Sequence, residues 1–90
     1  MLKKLYEIVA NESEKRLLLS DRNIVVEEKF GESKNITKKY RIDRIFIEDD
    51  DILVSYNADD SDFSYTAYAK DLSKSFIGQI MFALVGIKNM

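Results

Sequence analysis

The chain has no cysteine, no histidine and no proline. Without cysteine there is no disulfide framework, no thiolate metal site and no thiol nucleophile. Without histidine the commonest general base and the commonest metal ligand are missing. Long apolar runs are also lacking. The longest apolar-rich stretch, Phe76 to Ile87, is interrupted by Gln79 and two glycines, whereas a membrane-spanning helix needs about 20 apolar residues. The opening Met1-Leu2-Lys3-Lys4-Leu5 has the basic start of a signal peptide, but Glu7, Asn11, Glu12 and Glu14 break any apolar segment behind it. Small secreted domains lean on disulfides, so this composition predicts a soluble protein of the reducing cytoplasm. Met1 and the plain ending Lys88-Asn89-Met90 suit a whole chain.

What is there is ordinary globular material. Hydrophobic residues make up 46% and charged residues 33% of 90 residues, a balance that folds rather than one that stays disordered. A chain of this length builds one core, so residues 1–90 are expected to form a single domain. Domains this small often gain stability by pairing with another subunit.

The order of elements follows from periodicity. Leu2, Leu5, Tyr6 and Val9 fall at helical spacing and predict a short amphipathic helix that ends between Ala10 and Glu14. Lys15 to Leu19 and Ile24 to Phe30 read as strands, separated by the turn formers Ser20-Asp21-Arg22-Asn23. Gly31 to Asn35 is the next break, followed by a long β-favouring run from Ile36 to Ile47. Along that run the apolar parity switches near Arg44, from Tyr40 and Ile42 to Ile45 and Ile47, which predicts either a bulge or a strand exposed on both faces at one end. Ile52 to Tyr56 and Phe63 to Ala69 alternate as further strands. Asp71 or Ser73 is placed to cap a C-terminal helix with Leu72, Phe76, Ile77, Ile80, Met81 and Leu84 on its broad apolar face. The expected fold is α+β: an antiparallel meander of four or five strands, an N-terminal helix, and a C-terminal helix packed on one sheet face.

Charge is segregated along this frame. Glu48, Asp49, Asp50, Asp51, Asp59, Asp60 and Asp62 occupy a stretch without lysine or arginine, whereas Lys34, Lys38, Lys39, Arg41 and Arg44 cluster just before it. Aspartates suit hairpin turns for structural reasons alone. As a functional surface they would lie at opposite ends of strand 52–56, roughly 17 Å apart at about 3.3 Å per residue. Spaced carboxylates of this kind can imitate a phosphate backbone and occupy basic grooves on nucleic-acid-binding proteins. Asn57-x-Asp59-x-Ser61 begins like a calcium loop, but Asp62 and Tyr68 stand where its glycine and glutamate belong; no metal and no cofactor is expected. The basic segment, with Tyr40 for stacking, offers an alternative nucleic-acid ribbon; an edge strand blocked by lysines is its structural counterpart.

Catalytic motifs are absent: there is no Ser-x-x-Lys pair, no Gly-x-Ser-x-Gly elbow and no glycine-rich phosphate loop. The C-terminal helix is apolar around much of its circumference, so Phe82, Val85 and Ile87 are candidates for self-association into a homodimer. Together these features predict a small non-enzymatic protein-binding module or regulator that acts by occupying a macromolecular partner. A phage or mobile-element inhibitor of the anti-CRISPR or anti-restriction type suits its size and charge. The alternatives are the basic ribbon and a self-assembling subunit.

Overall fold

The computed structural model describes residues 2–86. Helix α1 spans Leu2–Ala10. Strands β1 (Arg16–Leu18), β2 (Val25–Phe30), β3 (Ile36–Glu48), β4 (Asp51–Ala58) and β5 (Ser64–Tyr68) follow, and helix α2 spans Lys74–Val85. The elements form one antiparallel five-stranded sheet with a helix at each end of the chain, so the α+β class holds.

Strand β3, thirteen residues long, organises the sheet. Strand β4 pairs along one side of it and β5 pairs with β4. The other side is shared: β2 pairs with the first half of β3, from Ile36 to Arg41, and β1 with the second, from Arg44 to Phe46. Strands β2 to β5 are thus a meander, with β1 in line with β2. The turn formers at 20–23 do not reverse the chain into a hairpin between β1 and β2. They make a 3-10 turn over Ser20–Arg22, and Asn23 in a left-handed conformation brings the chain back on line. The detour stays anchored because Leu19 and Ile24, at its two ends, are buried. Leu19 N–H donates to Asp43 C=O at 2.8 Å, and Ile42 N–H donates to Ile24 C=O at 3.0 Å.

Of the two readings of the parity switch, the bulge is the one present. Ile42 pairs with Tyr56 but Arg44 pairs with Ser55, leaving Asp43 as the extra residue. Opposed residues of an antiparallel pair share a face, so the bulge keeps Tyr40, Ile42, Ile45 and Ile47 on one side although their parity changes. That inner side also carries Leu17, Val26, Ile52 and Val54, and both helices pack on it. Leu5 and Val9 from α1 and Phe76, Ile77 and Ile80 from α2 close one continuous core.

Local chemistry sets the ends of these elements. Ser73 Oγ accepts from Phe76 N–H at 3.0 Å as the cap of α2, and donates to Glu28 Oε1 on β2 at 2.7 Å. Gly31 opens the β2–β3 turn at φ +93°, where a side chain would be strained and its Cβ would press Asn35 Oδ1 at 3.0 Å. The β3–β4 turn is the two-residue pair Asp49-Asp50, both at positive φ, the geometry of a type I′ hairpin.

The bulge fixes which neighbour belongs in the core. Ile45→Ala is expected to cost about 2–5 kcal/mol and Phe46→Ala clearly less, measured by urea denaturation. The opposite ranking is what an unbulged β3 would give.

Candidate functional site

With both helices on the inner face, the outer face of the sheet has no cover among the described residues. Cross-strand pairing arranges its side chains in rows. Arg16, Phe46, Leu53 and Tyr68 form one row; Leu18, Arg44, Ser55 and Thr66 the next; Val25, Arg41, Asn57 and Ser64 a third. Leu18 is 63% exposed and Tyr68 44% exposed. The Arg44 guanidinium lies over the Phe46 ring, 4.9 Å from its centroid, and Arg44 Nε is buried with no hydrogen-bond partner. Of the four arginines in the sequence, Arg16, Arg41 and Arg44 project from this face. An exposed sheet face combining arginine with aromatic and aliphatic side chains has the composition of protein-interface centres.

The basic segment does not form one ribbon. Lys34 sits in the β2–β3 turn at positive φ. Alternation puts Lys38 and Tyr40 on the inner side, and Lys39, Arg41 and Arg44 on the outer side. Lys38 lies over the Phe30 ring, 5.7 Å from its centroid. Lys39 pairs with Glu27 at 3.9 Å, and Arg41 with Asp59 at 3.2 Å.

The acidic residues are divided as well. Glu48, Asp49, Asp50 and Asp51 surround the β3–β4 turn, while Asp59, Asp60 and Asp62 lie in the β4–β5 connection. Strand β4 runs eight residues between them, so at about 3.3 Å per residue the two groups stand about 25 Å apart. Each is partly neutralised: Asp51 faces Lys70 at 3.9 Å and Asp59 faces Arg41. Tyr6 Oη also donates to Asp50 at 3.5 Å. Among the described residues no group of three or more aspartates and glutamates is arranged to hold a metal ion.

On the inner side Tyr40, Tyr56 and Tyr65 form an aromatic cluster with Phe76 of α2. Tyr56 stacks on Tyr65 at 5.3 Å and meets Tyr40 edge-on at 5.4 Å. Tyr40 and Tyr65 line a cleft of about 370 Å³ with Lys38, Asp59 and Asp60. Burial pushes both the Tyr40 and the Tyr56 hydroxyl above the ordinary tyrosine value; Glu28 adds to the effect at Tyr40, and the Tyr40 hydroxyl adds to it at Tyr56. Both therefore stay protonated near neutral pH.

Of the proposed self-association residues on α2, Phe82 is half exposed and Val85 partly buried; Ile87 lies outside the described residues. Among the described residues no helix is long and apolar enough to cross a membrane.

The arrangement defines a two-layer α+β domain with an open-faced antiparallel sheet. The chain matches no protein-family model, no curated protein and no solved structure.

The aromatic cluster has a pH signature. A hydroxyl whose folded pKa is raised above its unfolded value of 10.0 gives stability that is intact below pH 10 and lost as pH rises through the folded pKa. Denaturation between pH 8 and pH 11 is expected to register this loss, and Tyr40→Phe with Tyr56→Phe should shrink it. An equal alkaline loss in the double variant would assign it to other groups.

Proposed function

We propose that this protein is a non-enzymatic binding module that holds a protein partner against the open face of its sheet. One observation carries the reading: two helices cover one sheet face, while Leu18, Phe46, Leu53 and Tyr68 remain on the other beside Arg16, Arg41 and Arg44. Burying apolar area gives the affinity, and arginine forks give direction. The sequence holds far more lysine than arginine, yet this face takes most of the arginine. That choice favours a partner with carboxylates, which arginine engages in bidentate pairs.

The size of the face suits a small interface. Thirty-five strand residues, each about 4.8 Å by 3.3 Å, give a face on the order of 550 Å². That is just under the ~600 Å² a side of the smallest standard protein interfaces and suits a transient contact.

The inhibitor reading, in which the acidic turns stand in for nucleic acid, takes second place. Its carboxylates sit at opposite ends of the eight-residue strand β4, too far apart to act as one patch. Occupancy of a partner rather than chemistry remains the mode of action. The candidate groups lie on an open surface, without the enclosure that tunes catalytic carboxylates.

A tagged pull-down from source-cell lysate, with and without nuclease, tests the reading when three forms are compared. Wild type and Asp49→Asn/Asp50→Asn/Asp51→Asn are expected to capture the same protein. A Leu18→Glu/Tyr68→Ala variant should weaken capture by about thirtyfold or more, as loss of a central contact does. Loss in the acidic-turn variant alone would move the site to the turns. Loss of every partner after nuclease would assign the face to nucleic acid.

A further inference from the structure

The two edges of the sheet are treated differently. On the β2 edge, the Gln79 amide of α2 engages the main chain: Gln79 Nε2 donates to Glu27 C=O at 2.8 Å, and Gln79 Oε1 accepts from Glu27 N–H at 2.9 Å. The side chain thus fills the place of a neighbouring strand. In line with β2, β1 is only three residues long, which blunts that part of the edge.

The β5 edge has none of these devices. Ser64-Tyr65-Thr66-Ala67-Tyr68 carries no charge and no glycine, is rich in β-favouring residues, and is exposed along almost its whole length. Among the described residues no element lies beyond it. Ala58 N–H donates to Phe63 C=O at 3.4 Å. By the alternation of antiparallel hydrogen bonding, Phe63, Tyr65 and Ala67 direct their main-chain groups to β4. Ser64, Thr66 and Tyr68 direct theirs outward.

We propose that two copies of this chain join edge to edge through β5, antiparallel about Thr66, to make one continuous sheet. The sequence is self-complementary in this register. Thr66 meets Thr66 of the second copy, and Ser64 meets its Tyr68, with the outward amides and carbonyls in phase to bond. Tyr65 stands opposite Ala67 of the second copy, and Phe63, 71% exposed, lies diagonally against the same small residue. Asp62 of each copy comes to the end where Lys70 of the other lies, giving two opposite-charge pairs per dimer. Lys70 is 60% exposed and only loosely held by Asp51 at 3.9 Å, so it is available to both. This inference stands on the edge alone and does not depend on what the open face binds.

The test is sedimentation velocity over a wide concentration range, combined with amide hydrogen exchange on the full chain. Wild type is expected to dimerise. Amides of Ser64, Thr66 and Tyr68 should gain protection as concentration rises, while those of Tyr65 and Ala67 stay protected throughout. Asp62→Lys should weaken the dimer about ten- to thirtyfold by opposing like charges at both ends, and Asp62→Lys with Lys70→Asp should restore it. Thr66→Pro removes an outward amide and should give a monomer that keeps the wild-type circular dichroism, since proline is tolerated on an edge. A wild-type monomer at every concentration would overturn the proposal. So would a dimer in which Asp62→Lys changes nothing or Ser64, Thr66 and Tyr68 stay unprotected.

Discussion

The fold depends on what happens at Asp43. There the central strand is irregular on both sides at once. Toward β4 it carries an extra residue, and toward the other side it faces the gap between β1 and β2. Without the bulge, the second half of β3 would turn Phe46 inward and Ile45 outward, because a one-residue slip exchanges the faces of a strand. With it, Ile42 and Ile45 are both fully buried, and a single apolar face continues beneath both helices. The detour at 19–24 complements the bulge. It lets two short strands pair with the two differently phased halves of one long strand, and its buried ends, Leu19 and Ile24, help fill the core.

One-sided coverage follows from this phasing and determines which surface is left to a partner. Every helical core residue, from Leu5 and Val9 to Phe76, Ile77 and Ile80, faces the same side of the sheet. The outer face keeps a mixture that solvent alone does not favour: Leu18, Phe46, Leu53 and Tyr68 between arginines. Arg44 sits at its centre, its charge over Phe46 and its Nε buried without a hydrogen-bond partner. The edges repeat the contrast between covered and open. Gln79 closes β2, and nothing among the described residues closes β5. In a β5-linked dimer the two outer faces would become one broad surface and present a partner with two equivalent sites.

Much of this was legible in the sequence. Each predicted strand appears within a few residues of its expected limits, the parity switch near Arg44 marked the bulge, and Ser73 caps α2. The detour at 20–23 was not legible as such, because turn formers have the same composition whether the chain reverses or rejoins its line. The signal available was Leu19 and Ile24, two large apolar residues bracketing a polar group. The split of the basic segment was within reach of simple alternation: Lys38 and Tyr40 take one face, Lys39 and Arg41 the other, and the bulge adds Arg44 to the latter. The ion pairs of Arg41 with Asp59 and Lys70 with Asp51, like the hold of Gln79 on Glu27, join residues far apart in the chain and emerge only once the sheet and helix are assembled.

Methyl NMR with a soluble paramagnetic probe tests whether one face of the sheet is sealed and the other open. The Leu18 and Val25 methyls are expected to broaden strongly, with little effect on Ile42, Ile45 and Val54. Equal protection of both sets would mean that the outer face is covered as well, and would contradict that arrangement.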